Sequence, residues 1–307
     1  MSLPNFVFLD GEIKPYNDTR IGLMTNSLHY GTAAFGGIRG YWNADEQQLF
    51  IFRPRDHYRR VLQSATLLRM EFPYSPDDLV LGMREVLHKE NFRENCYIRP
   101  LIFLSDEKLG VKLHGLKASV AIMSIPWGEY LSNVTDMHLT FSSWRRIDDN
   151  MIPARGKIAG AYVNSALIKT DAVLAGFDDA LVLAEDGHLS EGSAMNFFMV
   201  RDGVVVTTEI TQNILEGITR RTVIQLLKEQ FGLPVVERTI DRTEIFLADE
   251  VFTCGSGTGI GIVTRIDHRK VGTGKPGKVA SQLRELYENV VCGKVAQYRD
   301  WCYPVYE

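Results

Sequence analysis

Ile152-Pro153-Ala154-Arg155-Gly156-Lys157-Ile158-Ala159-Gly160-Ala161-Tyr162-Val163-Asn164-Ser165 is the stretch on which the reading of this chain turns. Lys157 stands among small residues, Tyr162 follows, and a helical pattern opens near Gly160 and runs to about Ala175. A lysine so placed has little room to reach solvent. Desolvation disfavours the ammonium form, which is what an amine needs if it is to attack a carbonyl and form a Schiff base. On its own this is weak, because a lysine near a helix start is more often a solvated surface group.

Working outward, strands are expected at 137–144, 235–240 and 250–254, with helices from about 217 and from 277 to 294. Two Asp-Gly pairs, Asp186-Gly187 and Asp202-Gly203, mark tight turns. Upstream, a strand at 6–9 meets Asp10-Gly11, and strands at 35–42 and 48–52 flank the polar turn Asn43-Ala44-Asp45-Glu46. Pro54 suits the first turn of a helix whose Tyr58, Val61, Leu62, Ala65 and Leu68 share one face. A second helix follows Ser75-Pro76, then buried strands at 97–104 and 119–125. Strands and helices interleave, yet many turns are hairpins. The expected class is therefore α/β (α+β) with mixed sheets, not a doubly wound parallel sheet. The domains predicted are 1–126, a link at 127–136 that opens on Trp127-Gly128-Glu129-Tyr130 after Pro126, and a larger 137–307.

Composition narrows the function classes. With 45% apolar and 23% charged residues over 307 positions, the chain is ordinary globular protein able to bury real cores. A net charge of −4 offers no broad basic field for nucleic acid. No apolar run is long enough to span a bilayer, and Met1-Ser2-Leu3-Pro4-Asn5 lacks secretory features, so a cytoplasmic protein is expected. Cys96, Cys254, Cys292 and Cys302 are widely spaced and read as reduced structural thiols. The seven histidines are scattered, so no metal site is expected.

Three features could bind an anion. Arg60 lies in the cluster Arg53, Arg55, Arg59 and Arg60, where a solvated basic face explains most members. Gly217-Ile218-Thr219-Arg220 opens a helix whose first N–H groups point outward; an ordinary capped helix fits equally well. Cys254-Gly255-Ser256-Gly257-Thr258-Gly259 is a strand running into a donor-rich loop, or simply a tight turn. Glu191, in Leu189-Ser190-Glu191-Gly192-Ser193, is a carboxylate on a short strand that in isolation reads as a surface acid. Taken together, a Schiff-base lysine, an acid for a pyridinium, a phenol and a phosphate cup are what pyridoxal 5′-phosphate requires.

From about Phe6 to Val271 the chain resembles the class IV, fold-type IV aminotransferases, most closely the branched-chain amino acid aminotransferases. The resemblance rests on His29-Tyr30-Gly31, Phe35-Gly36-Gly37-Ile38-Arg39, Tyr97-Ile98-Arg99-Pro100, Lys157 through Tyr162, Ser190-Glu191-Gly192, Gly217-Ile218-Thr219-Arg220 and Leu247-Ala248-Asp249-Glu250-Val251-Phe252. It implies a two-domain pyridoxal phosphate enzyme in which Lys157 forms the Schiff base and then moves the proton. Glu191 would pair with the pyridine nitrogen and Tyr162 with the ring oxygen. Arg60, Ile218, Thr219, Ser256 and Gly257 would hold the phosphate end. Transfer of an amino group between branched-chain L-amino acids and 2-oxoglutarate would follow ping-pong kinetics.

Tyr97 and Arg99 alternate on a strand and should share a face, which a wet cross-strand pair would also explain. By the resemblance, Tyr97 helps hold the α-carboxylate, while Arg99 and the partner subunit's Tyr30 receive the side-chain carboxylate of glutamate. Phe35, Gly37, Tyr162, Trp127, Leu109 and Val111 would line the pocket for apolar side chains. Because Tyr30, Leu109 and Val111 would come from the other subunit, a homodimer or a larger assembly of dimers is implied. The chain departs from the family at Gly36 (usually glutamate), Ala194-Met195 (usually glycine-glutamate) and Ala161 (usually asparagine). A less polar wall is expected there, with activity extended toward aromatic amino acids or (R)-primary amines. D-amino acid or (R)-amine aminotransferases and aminodeoxychorismate lyase are alternatives within the fold. Gly272-Thr273-Gly274-Lys275-Pro276-Gly277-Lys278 suggests a P-loop-like nucleotide site, but Val279 stands where a hydroxyl should hold magnesium, and Pro276 removes a donor.

Overall fold

Asp10-Gly11 makes a tight hairpin turn: both residues have positive φ, 50° and 95°, and β1 (Phe6–Leu9) folds back on β2 (Glu12–Pro15). The computed structural model describes residues 3–128 and 133–306, so Glu129 and Tyr130 of the expected link lie outside the described residues. The chain divides into two units. One holds residues up to Gly128, the short segment Gly156–Ala161 and the stretch from Asn289 onward; the other holds the chain on to Arg155 and then Tyr162–Glu288.

In the first unit, β3 (Ala33–Phe35), β4 (Ile38–Asn43), β5 (Gln48–Phe52), β6 (Cys96–Leu104) and β7 (Ala118–Pro126) join the first hairpin in one antiparallel sheet. The C-terminal strand Cys302–Pro304 pairs with β5 at its edge. The strand expected at 35–42 is two strands, broken at Gly36-Gly37. Side chains fill the space there: a Cβ on Gly36 would lie 2.6 Å from Pro100 Cγ, and one on Gly37 would lie 2.3 Å from the Tyr97 hydroxyl. After the short α1 (Asn26–Tyr30), α2 (Pro54–Leu67) and α3 (Pro76–Glu90) cover the sheet. Tyr58, Val61 and Ala65 of α2 and Leu79, Met83 and Leu87 of α3 are buried against Ile38, Ile51 and Ile98. The Ser75–Asp78 capping box starts α3, and its hydrogen bonds hold the Asp78 carboxyl below the usual range.

The second unit carries β8 (Met137–Arg145), α4 (Tyr162–Leu174), β9 (Asp179–Leu183), β10 (Leu189–Gly192), β11 (Asn196–Arg201), β12 (Val204–Thr208), α5 (Ile218–Phe231), β13 (Val235–Arg238), β14 (Glu250–Gly255), β15 (Gly259–Ile266), β16 (Arg269–Lys270) and α6 (Lys278–Val291). Strand order is β10-β9-β8-β15-β14-β11-β12-β13, with β16 on β15. Pairs β8–β9, β8–β15 and β12–β13 are parallel and the others antiparallel, so this sheet is mixed as expected, while that of the first unit is wholly antiparallel. Strand β15 escapes the sequence reading because Gly259 and Gly261 interrupt its apolar alternation.

The P-loop alternative fails on this unit. The first N–H groups of α6 already have an anion: Val279 and Ala280 donate to the Glu250 carboxylate at 3.0 and 2.9 Å. The thiols behave as structural groups. Burial pushes Cys96 and Cys302 up to about 12 and raises Cys254 as well. Among the described residues, no helix is long and apolar enough to cross a membrane.

Candidate active site

In the first unit Lys157 is held by its main chain. Phe35 N–H donates to the Lys157 carbonyl at 3.0 Å, and Lys157 N–H donates to Ser64 Oγ at 3.0 Å. Ala34 and Ile158 form an antiparallel bridge, and Gly160 N–H donates to the Gly31 carbonyl at 3.1 Å. The segment thus lies against β3 through one bridge and its flanking hydrogen bonds, which explains why it belongs with this unit despite its place in the sequence. The Lys157 side chain is half-buried, with Nζ 5.3 Å from the Phe35 ring centroid.

The arginine cluster on α2 sorts by burial. Arg55 and Arg59 make exposed ion pairs with Asp77 and Asp56, and Arg53 pairs with Asp56. Arg60 alone of the four is buried, at 8% exposure.

Tyr97 and Arg99 do share a face of β6, and Arg99 donates to the Tyr97 hydroxyl at 3.0 Å. The Arg99 guanidinium lies 4.7 Å from the centroid of the Phe35 ring, and Trp127 packs on Tyr97 at 5.0 Å between centroids. A cation flanked by aromatic faces keeps its charge while presenting little polar surface. The Gly37 backbone faces the Tyr97 hydroxyl closely enough to exclude a side chain. Elsewhere on this unit, Gly110 N–H donates to the Tyr30 hydroxyl at 3.1 Å, gathering Tyr30 with Leu109 and Val111, which are 59% and 81% exposed.

In the second unit Glu191 is not a surface acid. It is 2% exposed on β10, where a register shift between Leu189 and Glu191 re-aims the strand. Arg146 meets its Oε1 at 2.6 Å, Asn196 Nδ2 donates to Oε2 at 2.8 Å, and Leu215 N–H donates at 3.3 Å. Such a set keeps a buried carboxylate ionised and fixed in direction. None of these three partners was visible in the sequence. Arg146 lies 45 positions from Glu191 (191 − 146), and no local pattern links the two.

Gly217 precedes α5 with no side-chain cap, in contrast to the Ser75–Asp78 box of α3 and the Glu250 carboxylate at α6. Ile218 and Thr219 start α5 and are buried, so their N–H groups are the kind of donor a phosphate accepts from. Arg220 takes no part. Its guanidinium donates to the Thr208 carbonyl and to Glu237, both at 2.7 Å. Ser256 and Gly257 lie in the turn joining β14 to β15, and Thr258 in the same turn donates to Met195 Sδ at 3.3 Å. Tyr162 is half-buried at the first residue of α4. A buried, charge-paired acid, a helix start without a side-chain cap, a hydroxyl-bearing turn and a half-buried lysine beside the Phe35 ring are residue types that fit the chemistry of pyridoxal 5′-phosphate.

Comparison with known proteins bears on this set directly. The family described as Amino-transferase class IV matches residues 39–266. A probable branched-chain-amino-acid aminotransferase of Aquifex aeolicus is 46% identical over 303 residues, covering 99% of this chain and 97% of that protein. The branched-chain aminotransferase of Thermoproteus uzoniensis, solved with norvaline, superposes with a TM-score of 0.94 at 37% identity, covering 99% of this chain and all of that one. The branched-chain amino acid aminotransferase of Thermobaculum terrenum, solved in its PLP form, gives a TM-score of 0.94 at 36% identity over 100% of both chains. With fold, site chemistry and full-length relatives in agreement, the chain belongs to the class IV aminotransferases, in their branched-chain-amino-acid branch, and its cofactor is pyridoxal 5′-phosphate.

Proposed function

We propose that this protein moves the amino group of branched-chain L-amino acids to 2-oxoglutarate, and back, in two half-reactions that leave the nitrogen on the cofactor between them. Lys157, Tyr162, Glu191, Arg60, Ile218, Thr219, Ser256 and Gly257 are the residues assigned to hold the cofactor. Glu191, kept ionised by Arg146 and Asn196, would hold a proton on the pyridine nitrogen. When bound, the cofactor supplies a sink for the electrons released as the substrate Cα loses its proton. Lys157 Nζ would take that proton and give it back later in the same half-reaction, acting as the one base.

Arg99 carries the substrate assignment. A guanidinium at the Tyr97 hydroxyl and over the Phe35 ring can receive the γ-carboxylate of glutamate, and it offers aromatic faces when leucine occupies the same space. Replacing Arg99 by alanine is expected to lower kcat/KM for L-glutamate by about 100-fold and for L-leucine by less than about fivefold. Steady-state assays with both donors check this, and equal losses would remove the dual-substrate argument. The same panel should include L-phenylalanine and (R)-1-phenylethylamine. By the family resemblance acids are expected where Gly36 and Met195 stand, and their replacement here is the ground for expecting turnover of one or both; activity on leucine, isoleucine and valine alone would sink that extension.

The partner is proposed to be a second copy of this chain. Tyr30, Leu109 and Val111 are gathered on the surface of the first unit, where a second subunit would cover them. Light scattering should give twice the chain mass of 34.7 kDa or a higher even multiple. A monomer that is fully active would overturn this reading.

A further inference from the structure

Ser64 lies one turn beyond Arg60 on α2 and is 1% exposed. Its Oγ donates to the Arg60 carbonyl at 2.8 Å and accepts the Lys157 N–H at 3.0 Å. The proton placement is forced: the amide can only donate, so the hydroxyl hydrogen goes to the carbonyl. A helical serine that bonds back one turn is common and needs no second partner. Here the second partner is the main chain of the residue that carries the reactive amine.

The surrounding packing shows that this contact is built into the fold. The other side of the Lys157 residue is pinned, its carbonyl taking the Phe35 N–H at 3.0 Å. Immediately before it, a Cβ on Gly156 would sit 3.0 Å from Leu67 Cδ1, so the segment lies directly against the last turn of α2. The Lys157 amide thus reaches the Ser64 hydroxyl across a close approach of two main-chain segments.

We propose that Ser64 is a positioning residue for the aminotransferase reaction. Its hydroxyl ties the Lys157 main chain to the Arg60 turn, so that one helix sets both the amine and a phosphate anchor. The inference rests on the cofactor roles proposed for Lys157 and Arg60, and in it Ser64 touches neither substrate nor cofactor. Without the hydroxyl, a buried amide loses its acceptor and the lysine segment is free to shift. A displacement of about 1 Å at a reacting group costs on the order of 100-fold in rate.

The test uses Ser64→Ala and Ser64→Cys, the second replacing the hydroxyl by a weakly accepting thiol of similar volume. In cofactor-free protein, hydrogen exchange at the Lys157 amide should be at least about tenfold faster in each variant. In holoenzyme, kcat should fall about 10- to 100-fold while KM for leucine moves less than about threefold. The pH midpoint of the visible cofactor band should also shift, which a general loss of packing would not produce. Unchanged exchange with wild-type kcat, even alongside lower thermal stability, would overturn the proposal. Should Ser64→Ala not fold, Ser64→Cys decides by the same criteria. A wild-type protein that gains no visible band with pyridoxal phosphate would sink the cofactor roles and this inference with them, whereas a coloured wild type with an unaltered Ser64→Ala sinks the Ser64 role alone.

Discussion

Lys157→Ala is expected to lower kcat for leucine by about 10⁴-fold, because one side chain is proposed to supply both the cofactor attachment and the proton transfer. The variant should fold normally. The bonds that fix this segment, from Phe35 N–H and to Ser64 Oγ, are made by the main chain and survive truncation of the side chain. Thermal midpoints within a few degrees of wild type would confirm that the loss is chemical. A small exogenous amine should restore part of the rate by replacing the missing base, with a dependence on the free-base concentration. Residual turnover within tenfold of wild type, after cofactor saturation, would exclude Lys157 from the role.

Glu191→Gln should lose both stability and turnover, for separable reasons. The Arg146 guanidinium, 12% exposed at its side chain, would be left facing a neutral amide where it now meets a carboxylate at 2.6 Å. Breaking such a pair from one side costs about 3 kcal/mol, or roughly 6–12 °C in thermal midpoint for a unit of this size. Loss of the carboxylate proposed to pair with the pyridine nitrogen should lower kcat by roughly 10²- to 10³-fold. The double variant Glu191→Leu/Arg146→Met separates the effects, since removing both charges restores stability but not turnover. If the double variant regains activity, Glu191 is structural. If Glu191→Gln is as stable as wild type, the buried pair is worth less than its geometry implies.

Much of this molecule was legible in its residues. Asp10-Gly11 and Asp202-Gly203 make hairpin turns because both residues of each pair adopt positive φ, a local property that Asp and Gly tolerate. Pro54 and Ser75-Pro76 start their helices, where a fixed φ and a hydroxyl acceptor are favoured whatever surrounds them. Tyr97 and Arg99 share a face because strand geometry alternates side chains. The motifs around Lys157 and Glu191 announced an amine and an acid, and the resemblance they carry named the family.

What the sequence by itself determined, then, is the menu of elements, the mixed-sheet class and the kind of chemistry: each depends on φ/ψ preferences, periodicity or a residue's own functional group. Tertiary structure alone decided the rest. It set the break at Gly36-Gly37, where Pro100 and Tyr97 occupy the space of a side chain, and the pairing of the C-terminal strand with β5. It turned Glu191 from an apparent surface acid into a buried one held by Arg146 and Asn196, and it set Lys157 on Ser64 across 93 positions. These contacts join residues far apart in the chain through shapes and hydrogen-bond vectors that exist only after the sheets have formed, so no window of sequence contains them.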